Sequence, residues 1–125
     1  EKTITQNRPA LIKLFNYNLH EPNEKTADQI TTTLDLVFCG LNVTRSKRRI
    51  VGVSKALHFL IPDLVMPIYS SYTMPAIYGC NRYSNGLEKE TEDFINIFKI
   101  TLNIVQKLNL TPADVSGEGW RQTQI

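Results

Sequence analysis

A run of basic residues beside a glycine is the part of this sequence best suited to chemistry. Lysine and arginine crowd residues 45–55, whereas no acidic residue occurs between Asp35 and Asp63. The candidate ligands for an anion are Arg45, Lys47, Arg48, Arg49, Gly52, Ser54 and Lys55. Cationic side chains attract phosphate groups, and this attraction weakens as salt is added. The pattern therefore predicts a local anion-binding surface on a chain whose net charge is only +2.

The glycine in this run predicts a second source of anion affinity. Residues 54–61 are rich in helix formers, and Pro62 disfavours helical geometry at the residue before it. If a helix begins just after Gly52, its free N–H groups and the positive end of its dipole point at whatever lies in front. Phosphate suits such a position. The alternative interpretation is a simple turn at Gly52 with a surface lysine at position 55.

Residues 45–71 resemble the helix-hairpin-helix DNA glycosylase superfamily. The hairpin of that family has a glycine, an apolar residue and a second glycine, followed after three residues by an alanine that begins a helix. Gly52 and Ala56 match the second glycine and the alanine. The family continues with a proline and an apolar residue before its catalytic aspartate, and Pro67 and Ile68 occupy a similar place. The resemblance implies contact with the DNA backbone.

The same segment departs from the family at two positions. Residues 69–71 read Tyr-Ser-Ser where the catalytic aspartate is expected, and Ile50 replaces the first glycine of the hairpin. We therefore expect no base-excision chemistry from the resemblance and assign no catalytic residue.

Three functions of different classes are compatible with the sequence. The first is non-catalytic contact with duplex DNA through the basic run. The second is a protein-interaction or homo-oligomerisation module, in which the basic run meets an acidic block across a symmetric contact. That block consists of Glu88, Glu90, Glu92 and Asp93, which also suit the first turn of a helix. The third is a glycosylase-like enzyme that uses Lys55 or Asp63.

Aromatic residues follow the basic run. Tyr69, Tyr72, Tyr78 and Tyr83 lie close to Arg82 in the sequence. Tyrosines mixed with a cation can stack on unpaired bases, or they can close a core with their hydroxyl groups toward water. The sequence has only two histidines, and no Walker loop or Ser-His-Asp order, so we expect neither a metal nor a cofactor.

Cysteine usage and the absence of an apolar leader predict a cytoplasmic protein. Cys39 and Cys80 lack CxxC spacing, so we expect free, buried thiols rather than a disulfide. No apolar run approaches the roughly 20 residues that span a bilayer, and we expect no membrane partner. Because the chain opens with Glu1 rather than methionine, we expect a fragment trimmed at one or both ends.

Helical periodicity accounts for most of the chain. Apolar stripes predict helices over 26–41 and 87–109, and the first of these has a capping box at Thr26 and a stop near Gly40. Weaker patterns predict helices over 9–19, 54–61 and 75–78 and another after Thr111, with extended or irregular chain over 63–72. Residues 1–125 are therefore expected to form a single all-α domain, a compact orthogonal array of about five to six helices.

Overall fold

A computed structural model of the chain describes residues 5–19, 24–43, 49–69, 71–79 and 86–109. The helices are α1 (Arg8–Leu14), α2 (Glu24–Gly40), α3 (Arg49–Leu60), α4 (Thr73–Tyr78) and α5 (Leu87–Lys107). The described ranges contain no strand, which confirms the all-α prediction at the lower end of its helix count. None of these helices is both long enough and apolar enough to cross a bilayer. The helix predicted after Thr111 lies outside the described residues.

One hydrophobic cluster takes residues from all five helices. The long helix α5 packs against both α2 and α3, and α1 packs against α2. Phe38 of α2 and Phe94 of α5 stack with their ring centroids 4.7 Å apart. The apolar stripe that predicted α2 is buried throughout, at Ile30, Leu34, Val37, Phe38 and Leu41. Burial of this face holds α2 in the helical state, as its periodicity predicted.

The ends of α2 differ in how well the sequence predicts them. The helix begins at Glu24, so the predicted cap Thr26 lies inside it. Gly40 is its last residue, as expected, and it also permits a close approach. A Cβ atom at Gly40 would collide with the side-chain amide of Asn7. The glycine therefore ends α2 and makes room for the Asn7 side chain, just before α1.

The first helix is shorter than its pattern predicts. α1 ends at Leu14 instead of continuing to Leu19. The Tyr17 N–H donates to the Leu14 carbonyl at 3.1 Å, and the Leu19 N–H donates to the Asp63 carbonyl at 3.1 Å. This second bond attaches the chain after α1 to the turn after α3. The chain after α1 therefore does not continue as a helix.

The segment after α3 is irregular, as predicted, but it is held by specific hydrogen bonds. The Leu64 and Val65 N–H groups both donate to the Ile61 carbonyl at 3.1 Å. Nδ1 of His58 lies 2.7 Å from the Val65 carbonyl oxygen. Because these bonds reach back to α3 and its end, the segment is fixed against that helix.

Candidate functional site

The N-terminus of α3 already has an acceptor from within the chain. Glu90 of α5 is 2% exposed, and its Oε1 accepts a hydrogen bond from the Ile50 N–H at 3.2 Å. The prediction that this helix begins after Gly52 is wrong, since α3 begins at Arg49 and Gly52 lies inside it. An acidic side chain stabilises the first turn by accepting from its free N–H groups. The helix therefore starts earlier than local sequence indicates because Glu90 caps it.

Arg49 caps the end of the preceding helix. Its Nη2 donates to the carbonyl oxygens of Phe38, Cys39 and Leu41, at 3.3 Å and 3.5 Å for the first two. These carbonyls lie at the C-terminal end of α2, where a cation also meets the negative end of the helix dipole. The guanidinium group predicted to bind phosphate thus joins α2 to α3.

Ser54 is fully buried and its hydroxyl group has two partners. The Oγ donates to the Val51 carbonyl at 3.1 Å and accepts from the Ile68 N–H at 2.9 Å. The second bond fastens the segment after α3 to the helix, one residue before Tyr69. Ser54 therefore positions this segment, and no face of its side chain is open to a ligand.

Lys55 is the predicted ligand that faces solvent. Its Nζ lies 4.5 Å from the centroid of the Tyr69 ring, a cation–π contact, and Tyr69 remains 46% exposed. Phe59 lies four residues after Lys55, on the same side of α3, and is 85% exposed. Arg45, Lys47 and Arg48 lie outside the described residues.

Tyr72 is joined to Tyr69 by a backbone hydrogen bond. The Tyr69 carbonyl accepts from the N–H groups of Tyr72 at 3.1 Å and Thr73 at 2.7 Å. Tyr72 is 77% exposed. We call Lys55, Phe59, Tyr69 and Tyr72 the cationic aromatic surface.

Tyr78, another of the candidate tyrosines, differs from Tyr69 and Tyr72. Tyr78 is half-buried, and its hydroxyl donates to Oδ1 of the buried Asp93 at 3.4 Å, so it belongs to the packed interior. Tyr83 lies outside the described residues. Sequence reasoning missed Phe59, although its position two residues after the buried Leu57 placed it on the opposite side of a helix.

The acidic block at the start of α5 is divided between interior and solvent. Glu90 and Asp93 are each 2% exposed, whereas Glu88 and Glu92 face solvent. Nζ of Lys89 lies 3.9 Å from Oε2 of Glu92 on the exposed side. Part of the block is therefore committed to contacts within the chain, and only the exposed part remains for a partner.

A groove of about 750 Å³ lies between α2 and α5. Its lining residues are Asp35, Cys39, Leu87, Glu88, Thr91, Glu92, Ile95 and Asn96, so it carries carboxyl groups and no basic side chain.

Cys39 is free and exposed, which corrects the expectation of a buried thiol, and Cys80 lies outside the described residues. The Cys39 Sγ lies 3.6 Å from Oδ1 of Asp35. In the described part of the chain, no group of three or more His, Cys, Asp or Glu side chains is arranged to hold a metal.

No protein family, curated protein or solved structure matches this chain significantly. The resemblance to helix-hairpin-helix glycosylases therefore stays a prediction from residues 45–71. Inference about function depends on the geometry described above.

Proposed function

We propose that this chain binds nucleic acid without catalysing a reaction on it. The observation that carries the proposal is the exposed contact between Lys55 and Tyr69 on a helix that has no acidic residue. A cation held beside exposed aromatic rings suits a ligand that presents phosphates and bases together. Arg45, Lys47 and Arg48 precede α3 and add positive charge to this part of the sequence.

Side chains, rather than helix amides, supply the proposed phosphate contacts. The Ile50 amide has Glu90 as its acceptor, and the Arg49 guanidinium is bonded to the end of α2. The proposed ligands are therefore Lys55 together with Arg45, Lys47 and Arg48. The proposed compartment is the cytoplasm.

A catalytic role has less support than binding. Lys55 is exposed, whereas a nucleophilic lysine requires a dry pocket. Asp63, the acid considered for glycosylase-like chemistry, is also exposed. The proposal therefore assigns these residues to the surface and not to an active centre.

Replacing Lys55 by glutamine should reduce the salt dependence of nucleic-acid binding. Fluorescence anisotropy with labelled duplex DNA, between about 50 and 200 mM salt, should give an affinity that falls steeply as salt rises. Lys55→Gln should reduce the slope of log affinity against log salt by about one, since one phosphate contact is lost. Lys99→Gln, which removes an exposed lysine from α5, is the matched control and should leave most of the slope intact. Absent or salt-independent binding of the unaltered protein to both duplex and single-stranded DNA would contradict the proposal.

A second candidate function is self-association through α5. Ile100, Ile104 and Leu108 follow one another at four-residue intervals along α5 and past its end, and they are 37%, 49% and 65% exposed. An exposed apolar stripe of this kind is typical of an interaction surface. This observation favours an oligomeric module independently of the acidic block.

Ile104→Glu should dissociate an oligomer that forms through this stripe. A carboxylate buried in an apolar contact would lose its hydration without gaining a partner. Sedimentation velocity should then show a smaller species for this variant than for the unaltered protein. The control Leu36→Glu changes a leucine on α2 that is more exposed than Ile104, at 65% against 49%, and should keep the oligomer. A protein that sediments as a monomer at every accessible concentration would exclude this function.

A further inference from the structure

We infer that the nucleic acid is single-stranded, with an unpaired base stacked on the Tyr69 ring and Lys55 beside its phosphate. This inference depends on the proposed nucleic-acid binding and narrows it to one class of ligand. Every base has a flat π face, so stacking on tyrosine tolerates different sequences. In a duplex, the same faces are covered by neighbouring base pairs and cannot reach the ring.

In the contact between Lys55 and Tyr69, the cation can bind a phosphate while the ring stacks on a base. The ammonium group lies 4.5 Å from the ring centroid, over one face of the ring. Tyr69 as a whole is 46% exposed, and the inferred base stacks on the part of the ring that Lys55 does not cover. A base stacked there would bring its own phosphate near a cation that the ring already holds in place.

The backbone beneath Tyr69 is fixed before any ligand arrives. The Ile68 N–H is bonded to the buried Ser54 hydroxyl at 2.9 Å. The Tyr69 N–H donates to Oγ1 of Thr73 at 3.0 Å, and the Tyr69 carbonyl accepts from the Thr73 N–H at 2.7 Å. These bonds hold the residue on both sides, so binding would order little backbone and lose little entropy.

Two further aromatic side chains are exposed near this contact in the sequence. Phe59 is 85% exposed on the Lys55 side of α3, and Tyr72, whose N–H donates to the Tyr69 carbonyl, is 77% exposed. Rings that are this exposed to water gain the most free energy when another flat apolar surface covers them. Successive bases of a flexible strand can cover such rings one after another.

The charge of the surrounding chain favours an anionic strand over an apolar protein surface. Lys55 and Phe59 project from a helix without acidic residues, and the sequence from Asp35 to Asp63 has five lysines and arginines between these two acids. An apolar protein surface would have to cover the Lys55 ammonium group and strip its water at a cost. A phosphate meets the same group with opposite charge, so single-stranded nucleic acid is the better complement.

The test compares single-stranded oligothymidine with a duplex of equal length, by anisotropy at fixed salt. The unaltered protein should bind the single strand more tightly. Tyr69→Leu removes the π face but keeps an apolar side chain, and it should weaken binding to the single strand about tenfold or more. Tyr69→Phe keeps the ring and should retain the affinity. Phe15→Leu is the control, since Phe15 is a 55% exposed aromatic residue at the end of α1.

The outcomes separate this inference from the proposed function. Equal affinity for duplex and single strand, with salt-dependent binding that Tyr69→Leu leaves unchanged, would overturn stacking and leave nucleic-acid binding in place. Failure to bind either oligonucleotide would overturn both. Loss of affinity in Tyr69→Phe as well as Tyr69→Leu would overturn stacking, because the hydroxyl and not the ring would then be responsible.

Discussion

Arg49→Met is expected to lower the free energy of unfolding by about 2–3 kcal/mol. Nη2 of Arg49 donates to carbonyl oxygens of Phe38, Cys39 and Leu41, which end α2. Methionine keeps an unbranched apolar stem but offers no donor, so these acceptors lose a charged partner in a half-buried position. Because Arg49 also begins α3, the loss should loosen both helices together.

Urea denaturation followed by circular dichroism measures this effect. Lys55→Met is the matched control, because it removes an exposed cation from the same helix and should change stability by less than about 0.5 kcal/mol. Arg49→Lys keeps the charge without the planar fork and should fall between the two. At temperatures where Arg49→Met is folded, its nucleic-acid affinity should change less than that of Lys55→Gln. An unfolding midpoint equal to that of the unaltered protein would show that Arg49 does not cap α2.

The parts of the fold that the sequence predicted are those in which the evidence is local and repeated. α2 and α5 each bury one face, so their apolar residues recur at helical spacing. Phe38 and Phe94 belong to these two stripes, and both are buried where the helices meet. Because the pattern repeats over several turns, the prediction of a helix does not depend on any single residue. Gly79, which ends α4 at a φ of 72°, is a comparable local signal.

The start of α3 was not predictable from the residues around it. Its cap is Glu90, 40 positions further along the chain, and no periodicity links the two. The same limit applies to Arg49, whose partners lie in α2. A basic run was interpreted as facing a ligand, yet one of its members satisfies the carbonyls of the protein's own helix. Distinguishing these uses of arginine requires tertiary contacts.

The cationic aromatic surface was predicted only in part from the sequence. Lys55 was among the candidate ligands and faces solvent, whereas Ser54, its neighbour, is buried. A helix turns by about 100° per residue, so two adjacent residues can face opposite environments. The contact from Lys55 to Tyr69 depends on irregular chain after α3, and irregular chain has no period to extrapolate.

Glu90→Ala is expected to destabilise the protein by about 2–4 kcal/mol. The Ile50 N–H would lose its acceptor, which is Oε1 of Glu90 at 3.2 Å. Water would not readily replace this acceptor, because Glu90 is only 2% exposed. The deleted methylene and carboxyl groups would also leave a cavity between α3 and α5. Both effects act on the contact through which α5 holds the start of α3.

Glu90→Gln separates the effect of the lost hydrogen bond from the effect of the lost side-chain volume. Its amide oxygen can still accept from Ile50, so we expect a loss of only about 1 kcal/mol. Glu92→Ala, an exposed change on the same helix, should stay within about 0.5 kcal/mol. Hydrogen exchange at the Ile50 amide, followed by NMR, should accelerate in Glu90→Ala more than in Glu90→Gln. Unchanged exchange in Glu90→Ala would contradict the assigned cap.

The same variant separates two origins of anion affinity. While Glu90 accepts from Ile50, a bound phosphate gains nothing from that amide, and attraction must come from side chains such as Lys55. Glu90→Ala frees that amide, but Ile50 and the space left by Glu90 are buried, so a phosphate of a bound strand does not reach it. Nucleic-acid binding should therefore stay close to that of the unaltered protein while stability falls, when both are measured on folded protein. A parallel loss of affinity would contradict this separation, because binding would then depend on the orientation that Glu90 gives to the start of α3.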